Sequence, residues 1–171
     1  MAVFVALLRA INVGGTGKLP MTELRALCET CGFKNAKTYI QSGNVVFESR
    51  LAEEKVRSKL ERALAEQLGK PVGVSLRSQA ELEAVLSHNP FKEQAPNRVI
   101  VFFMNDPVPK NALRTVVAPS GEQLKVRGRE IYVYYPEGQG PSKLKLPQAA
   151  QGTGRNINTI VKMAALAAEL H

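Results

Sequence analysis

Residues 37–76 read KTYIQSGNVVFESRLAEEKVRSKLERALAEQLGKPVGVSL, and this stretch decides the fold. Two short β-prone runs, 37–40 and 44–47, flank Gln41, Ser42 and Gly43, whose glycine can take the positive φ that a tight hairpin requires. Over 52–68, Ala52, Val56, Leu60, Ala63, Leu64 and Leu68 fall on one helical face with charges on the other, and Gly69 and Pro71 end the run. Residues 72–76 then read as a strand. The local order is strand, strand, helix, strand.

Working outward toward the N-terminus, residues 3–13 are apolar and β-branched enough for a buried strand, interrupted by Arg9 and Asn12 and ended by Gly14, Gly15 and Gly17. A helix over 20–31 is predicted next, because Pro20 costs no needed N–H in a first turn, Thr22 can cap and Gly32 can stop it. The first half therefore runs β-α-β-β-α-β, the split β-α-β order of a ferredoxin-like fold.

Toward the C-terminus, Ser78 with Glu81 three residues later predicts a capping box, opening a helix that ends before Asn89 and Pro90. Residues 98–104 are predicted as a strand and 109–116 as a short helix. Residues 123–126 and 130–135 form a hairpin around Arg127, Gly128 and Arg129, and 156–170 form a closing helix. The predicted class is α+β, with two ferredoxin-like halves, 1–77 and 78–171. The second is less regular and carries a basic loop and the C-terminal helix.

With 171 residues, 44% of them hydrophobic, the chain can bury either one large core or two smaller ones. No apolar run approaches the roughly 18 residues of a membrane span, and residues 1–8 lack the basic region and cleavage site of a leader. A cytoplasmic protein without membrane association is expected. The formal charge of +8 is uneven: residues 51–107 hold eight basic and eight acidic side chains, whereas 108–162 hold nine basic and three acidic. Such an excess attracts phosphates and other anions when its members share a face.

Enzyme signatures are sparse. Cys28 and Cys31 fall late in a predicted helix, where ordinary packing explains them better than redox chemistry, which favours a helix N-terminus, or zinc, which needs two further ligands. His88 and His171 do not cluster, and neither a GxSxG elbow nor a paired-carboxylate motif is present. No cofactor and no metal are predicted.

Anion-compatible segments are more numerous. Gly14, Gly15 and Lys18 invite comparison with a phosphate loop, but a Walker loop needs glycine where this chain has Asn12 and Ser or Thr where it has Leu19. A generic anion nest and a structural turn both fit. Gln41, Ser42 and Asn44 form a polar cluster in the hairpin. Arg155, Asn156 and Asn158 open the last predicted helix, where unpaired N–H groups and a guanidinium fork suit an anion; capping by Asn156 or Thr159, with Arg155 paired to an acid, is the plainer alternative. Lys143 and Lys145 lie in a long turn-rich connection. Arg9, in a buried-looking strand, needs a partner or a ligand. Tyr132 and Tyr134, near Arg127 and Arg129, offer either a stacking surface or core packing.

The segments LRAINVGG at 8–15, KLPM at 18–21, YIQSGNVVF at 39–47 and RNINT at 155–159 resemble a mainly bacterial family catalogued as domain of unknown function 1697. The resemblance spans essentially the whole chain and implies two ferredoxin-like α+β halves. It implies no activity, so its motif residues carry over as candidate site residues alone. Ile157 stands where the family motif carries an aromatic side chain, and Ala10 where glycine is common; base stacking at 157 is therefore not expected.

Three functions follow as expectations. The first is a binding module for a phosphate-bearing small molecule or nucleic acid, using Lys18, Lys143, Lys145 and Arg155 for charge and Asn12, Gln41, Ser42 and Asn156 for polar contacts. A small-molecule enzyme is the second, with a pocket between the halves where Arg9, Asn12, Gln41, Asn44, Arg155 and Asn158 converge, although no nucleophile or general base is evident. In the third, a structural or protein-interaction module, the same residues are turn formers.

Overall fold

The structure, a computed structural model, describes residues 1–9, 19–39, 43–109, 111–147 and 152–170. The chain divides into two compact units, Met1–Glu83 with Lys162–His171, and Ala84–Val161. Among the described residues each unit is built on a four-stranded antiparallel sheet, an α+β architecture.

The first unit follows the order β1 (Ala2–Leu8), α1 (Met21–Thr30), β2 (Lys34–Tyr39), β3 (Asn44–Ser49), α2 (Glu53–Leu68) and β4 (Val74–Ser78). Its sheet order is β2-β3-β1-β4, so each helix links two strands that have one antiparallel strand between them. That is the split β-α-β connection expected from residues 37–76. Period-two alternation sends Phe4, Ala6, Leu8, Val45, Phe47, Val74 and Leu76 to one core, where they meet Leu24 and Cys28 of α1 and Val56, Leu60 and Leu64 of α2. Full burial of each such aliphatic side chain contributes about 1.5–3 kcal/mol. Phe33 stacks on Phe47 with ring centroids 4.4 Å apart, closing the core under the α1–β2 connection.

Local signals behave as their chemistry dictates. Gly43 adopts φ 78° at the hairpin, and Gly69 adopts φ 70° while its N–H donates to Ala65 O at 2.8 Å, ending α2. Pro20, rather than the hydroxyl of Thr22, stands at the start of α1; its carbonyl accepts from the N–H groups of Glu23 and Leu24, both at 3.0 Å. Strand β1 stops at Leu8, short of the predicted end at 13, and Arg9 is exposed in a turn.

After β4, helix α3 (Gln79–Ser87) opens on the predicted capping box: Glu81 N–H donates to Ser78 Oγ at 3.1 Å, and Ser78 N–H donates to Glu81 Oε1 at 2.9 Å. The second unit continues with β5 (Val99–Phe103), β6 (Gln123–Arg127), β7 (Glu130–Tyr134) and β8 (Thr153–Asn156); α4 (Ile157–Glu169) follows β8 and belongs to the first unit from Lys162 onward. The sheet order, β6-β7-β5-β8, repeats that of the first sheet strand for strand.

Two predictions for this half need correction. The short helix at 109–116 is a single 3-10 turn, Ala112–Thr115, because the chain beyond it is drawn into a backbone bridge between Val117 and Lys145. Residues 153–156, predicted to lead into the last helix, form a fourth strand on β5. Gly152 and Gly154 permit this, since a Cβ on Gly152 would lie 2.6 Å from Met104 Sδ and one on Gly154 would lie 2.8 Å from the Phe102 ring.

No helix among the described residues is long and apolar enough to cross a membrane.

Candidate anion-binding site

Among the described residues, one end of the first sheet holds Arg9 and Asn44 of the polar residues singled out by the sequence. Leu8 N–H donates to Gly43 O at 2.9 Å, and Arg9 N–H donates to Gly73 O at 2.9 Å. Arg9 thus sits where β3 and β4 begin and β1 ends. Segments 10–18 and 40–42 are not among the described residues. Asn12, Gly14, Gly15, Lys18, Gln41 and Ser42 belong to those segments and lie outside the described residues, as does the proposed anion nest.

Asn44, fully buried as the first residue of β3, donates from Nδ2 to Tyr39 O at 3.1 Å. The amide ties the two hairpin strands together across the turn. Arg9 behaves differently from its predicted buried role. Its guanidinium leaves the core and lies over Gly73, where an added Cβ would approach Nη2 to 3.1 Å. A groove of about 410 Å³ opens beside it, with Arg62 and Glu61 of α2 on the facing wall. Glu61 accepts the Val74 N–H at 3.1 Å and lies 3.6 Å from Arg57, so its carboxylate charge is already engaged. Two guanidiniums in one groove leave a positive surplus suited to a bidentate anion.

The remaining candidates are dispersed. Lys143 and Lys145 are exposed on a strap whose alternate residues, Leu144 and Leu146, pack on the core of Ile100, Phe102, Ile131 and Val133. Buried Glu122 anchors this strap, accepting the Ser142 hydroxyl at 3.4 Å and the Ser120 N–H at 3.0 Å. Arg155 pairs with Val101, on the face of β5 opposite Ile100 and Phe102. Alternation therefore places Arg155 and the strap lysines on opposite faces of the second sheet, and they do not share a site. Burial pulls the Arg155 guanidinium down to about 10, and its Nη1 donates to Gly154 O at 2.9 Å. Asn156 takes the capping role, its Oδ1 accepting the Thr159 N–H at 2.9 Å, while Asn158 is exposed.

Tyr132 is not a stacking surface. It is 1% exposed, and its hydroxyl donates to Val85 O at 2.7 Å; half-buried Tyr134 packs against Phe91 with centroids 5.9 Å apart. The thiols are held protonated: burial pushes Cys28 up to about 12, and burial also raises Cys31. Both cysteines are free, and no group of three metal-ligating side chains occurs among the described residues.

Sequence reasoning missed Arg62, Gly73 and Arg77. Arg77, 1% exposed in β4 with Nη1 donating to Leu76 O at 2.8 Å, is the buried arginine of this sheet. The alternation of 74–78 signals one apolar face and leaves the burial of the other unmarked. Arg62 gave no signal because it is one of many exposed charges on α2, and Gly73 looked like an ordinary turn residue.

Among curated proteins no match was found. The solved structure of the conserved bacterial protein SP0830 from Streptococcus pneumoniae superposes with a TM-score of 0.79 at 25% identity, covering 97% of this chain and 98% of that one. The family model described as a protein of unknown function, DUF1697, matches residues 1–132. The match covers more than three quarters of the chain, from β1 into β7, and the chain belongs to the DUF1697 family.

Proposed function

We propose that the protein is a binding module for a phosphate-bearing ligand, whose anionic group sits in the groove between Arg9 and Arg62. One observation carries this reading: two guanidiniums line a single groove whose carboxylate, Glu61, is engaged by a peptide N–H and by Arg57. The lining offers recognition rather than nucleophilic chemistry, since guanidiniums hold an anion without exchanging protons at neutral pH.

Thermal unfolding in the presence of pyrophosphate and nucleoside di- and triphosphates tests this directly. A ligand at 100 times its dissociation constant adds about 2.7 kcal/mol of stability, a readily measured shift. The shift should shrink strongly in Arg9→Ala and in Arg62→Ala. A shift equal in wild type and both variants would refute the assignment of this groove.

A further inference from the structure

The Arg9 groove is one end of a longer feature. A second groove, of about 380 Å³, shares Arg62 with it and is lined by Lys55, Ser58 and Lys59 of α2. A third, of about 470 Å³, shares Leu51 and Lys59 with the second and adds Lys34 and Arg50. Through these shared residues the three adjoin one another beside α2, and together they make a track from Lys34 and Arg50 to Arg62 and Arg9. Residues 54–65, which span it, cover about 16 Å of helix.

Among the described residues the track carries six cationic side chains and two carboxylates, Glu54 and Glu61. Both carboxylates are occupied. Arg57 Nη2 donates to Glu54 at 2.9 and 2.7 Å, and Glu61 takes the Val74 N–H. Glu48, the cross-strand partner of Lys34, accepts Asn35 Nδ2 at 2.8 Å and adds one negative charge beside the track. No ion pair among the described residues engages Lys34, Arg50, Lys55, Lys59 or Arg62. Lys55, Lys59 and Arg62 fall on one helical stripe, with neighbouring Cβ atoms about 5–6 Å apart. That arrangement presents positive charge at repeated intervals along a groove, which a polyanion with repeating phosphates can follow and a single phosphate cannot use fully.

We propose that this track takes the backbone of a single-stranded nucleic acid. The inference rests on the phosphate-binding reading of the Arg9 groove and extends it to a class of ligand. A lipid surface fits less well, because the apolar residues of α2, Val56, Leu60 and Leu64, are fully buried and leave nothing to insert. Among the described residues no aromatic side chain lines the track, so recognition runs through phosphates and is independent of base sequence. Its affinity falls steeply with salt.

Fluorescence anisotropy with a labelled single-stranded 12-mer, long enough to cover the whole track, set against a mononucleotide, tests the extension across a salt titration. The wild type should bind the 12-mer more tightly than the mononucleotide. Lys34→Gln/Arg50→Gln/Lys55→Gln, which leaves Arg9 and Arg62 intact, should weaken 12-mer binding about tenfold or more and lower the salt slope by about two, while mononucleotide binding is unchanged. Lys143→Gln/Lys145→Gln controls for net charge and should leave 12-mer binding close to wild type. Equal losses in both variants, or a 12-mer bound no more tightly than the mononucleotide, would overturn the proposal. Arg9-dependent binding of the mononucleotide would then leave the phosphate site standing, whereas no binding of either probe defeats both readings.

Discussion

The Arg9 guanidinium packs over Gly73, so closely that a Cβ at position 73 would lie 3.1–3.3 Å from its Nη2, Cζ and Nε atoms. The contact links the end of β1 to the start of β4, where the two backbones already share the Arg9 N–H to Gly73 O bond at 2.9 Å. Residue 73 therefore sets where the guanidinium can rest.

Gly73→Ala should displace Arg9 with little cost to the fold, because the obstructed atoms belong to the far end of a flexible side chain. A change in stability within about 0.5 kcal/mol is expected, as for other mild surface changes. Binding of pyrophosphate should weaken severalfold. Calorimetric titration beside a thermal melt separates the two effects, and unaltered affinity would show that the position of Arg9 over Gly73 is irrelevant to binding.

Ser78→Ala removes the hydroxyl that accepts the Glu81 N–H at 3.1 Å. The expected loss is about 1 kcal/mol, typical of a deleted N-cap. Ser78→Asp should restore most of it, since a carboxylate can accept the same N–H and favours the positive end of α3. The order of melting temperatures among wild type and the two variants checks this.

Gly152→Ala should be more damaging than Gly154→Ala. Its Cβ would meet Met104 Sδ at 2.6 Å and the Phe103 carbonyl oxygen at 2.9 Å, and the carbonyl cannot yield without disturbing β5. At Gly154 the obstructing atoms are side-chain carbons of Phe102 and Ile100. Overpacking costs of about 1–3 kcal/mol are expected, with Gly152→Ala at the upper end. Chemical denaturation of both variants would reverse this ranking if β8 were not held tightly against β5.

Alkaline pH should destabilise the fold. Burial, reinforced by Cys31 and Glu29, pushes the Cys28 thiol from 9.0 to about 12. Burial, with a smaller contribution from Glu130, pushes the Tyr132 phenol from 10.0 to about 12. Each folded pKa lies above its unfolded value, so the stabilisation is fully present below the unfolded pKa and is lost as pH rises through the folded one. Melting temperature should hold to about pH 9 and then decline up to about pH 12, and a flat profile over that window would contradict the burial of both groups. Under native conditions Cys28, fully buried, should resist a thiol reagent that labels it readily once the chain is unfolded.

Much of the first unit was legible because its signals are local. Spacing of Val56, Leu60 and Leu64 marks a helix face, Gly43 and Gly69 supply positive φ, and Ser78 with Glu81 makes a reciprocal cap; each depends on residues within a few positions. The glycine- and asparagine-bearing segments next to Arg9 and Gly43 were likewise recognisable as polar interruptions of apolar runs. That Arg9 meets Gly73 at one end of the first sheet was not.

By itself, then, the sequence determined the α+β class, the order of the first six elements and the capping of α3, since dihedral preference and side-chain period are properties of short stretches. Only the tertiary structure decided that Arg77 is buried and Arg9 exposed, that Thr153–Asn156 is a strand, and that Arg155 faces away from Lys143 and Lys145. A strand with two glycines exists through the hydrogen bonds and space its neighbour β5 provides. The burial of an arginine depends on what covers both faces of its sheet, and the joining of Arg9 to Arg62 in one groove depends on a meeting of residues fifty-three positions apart.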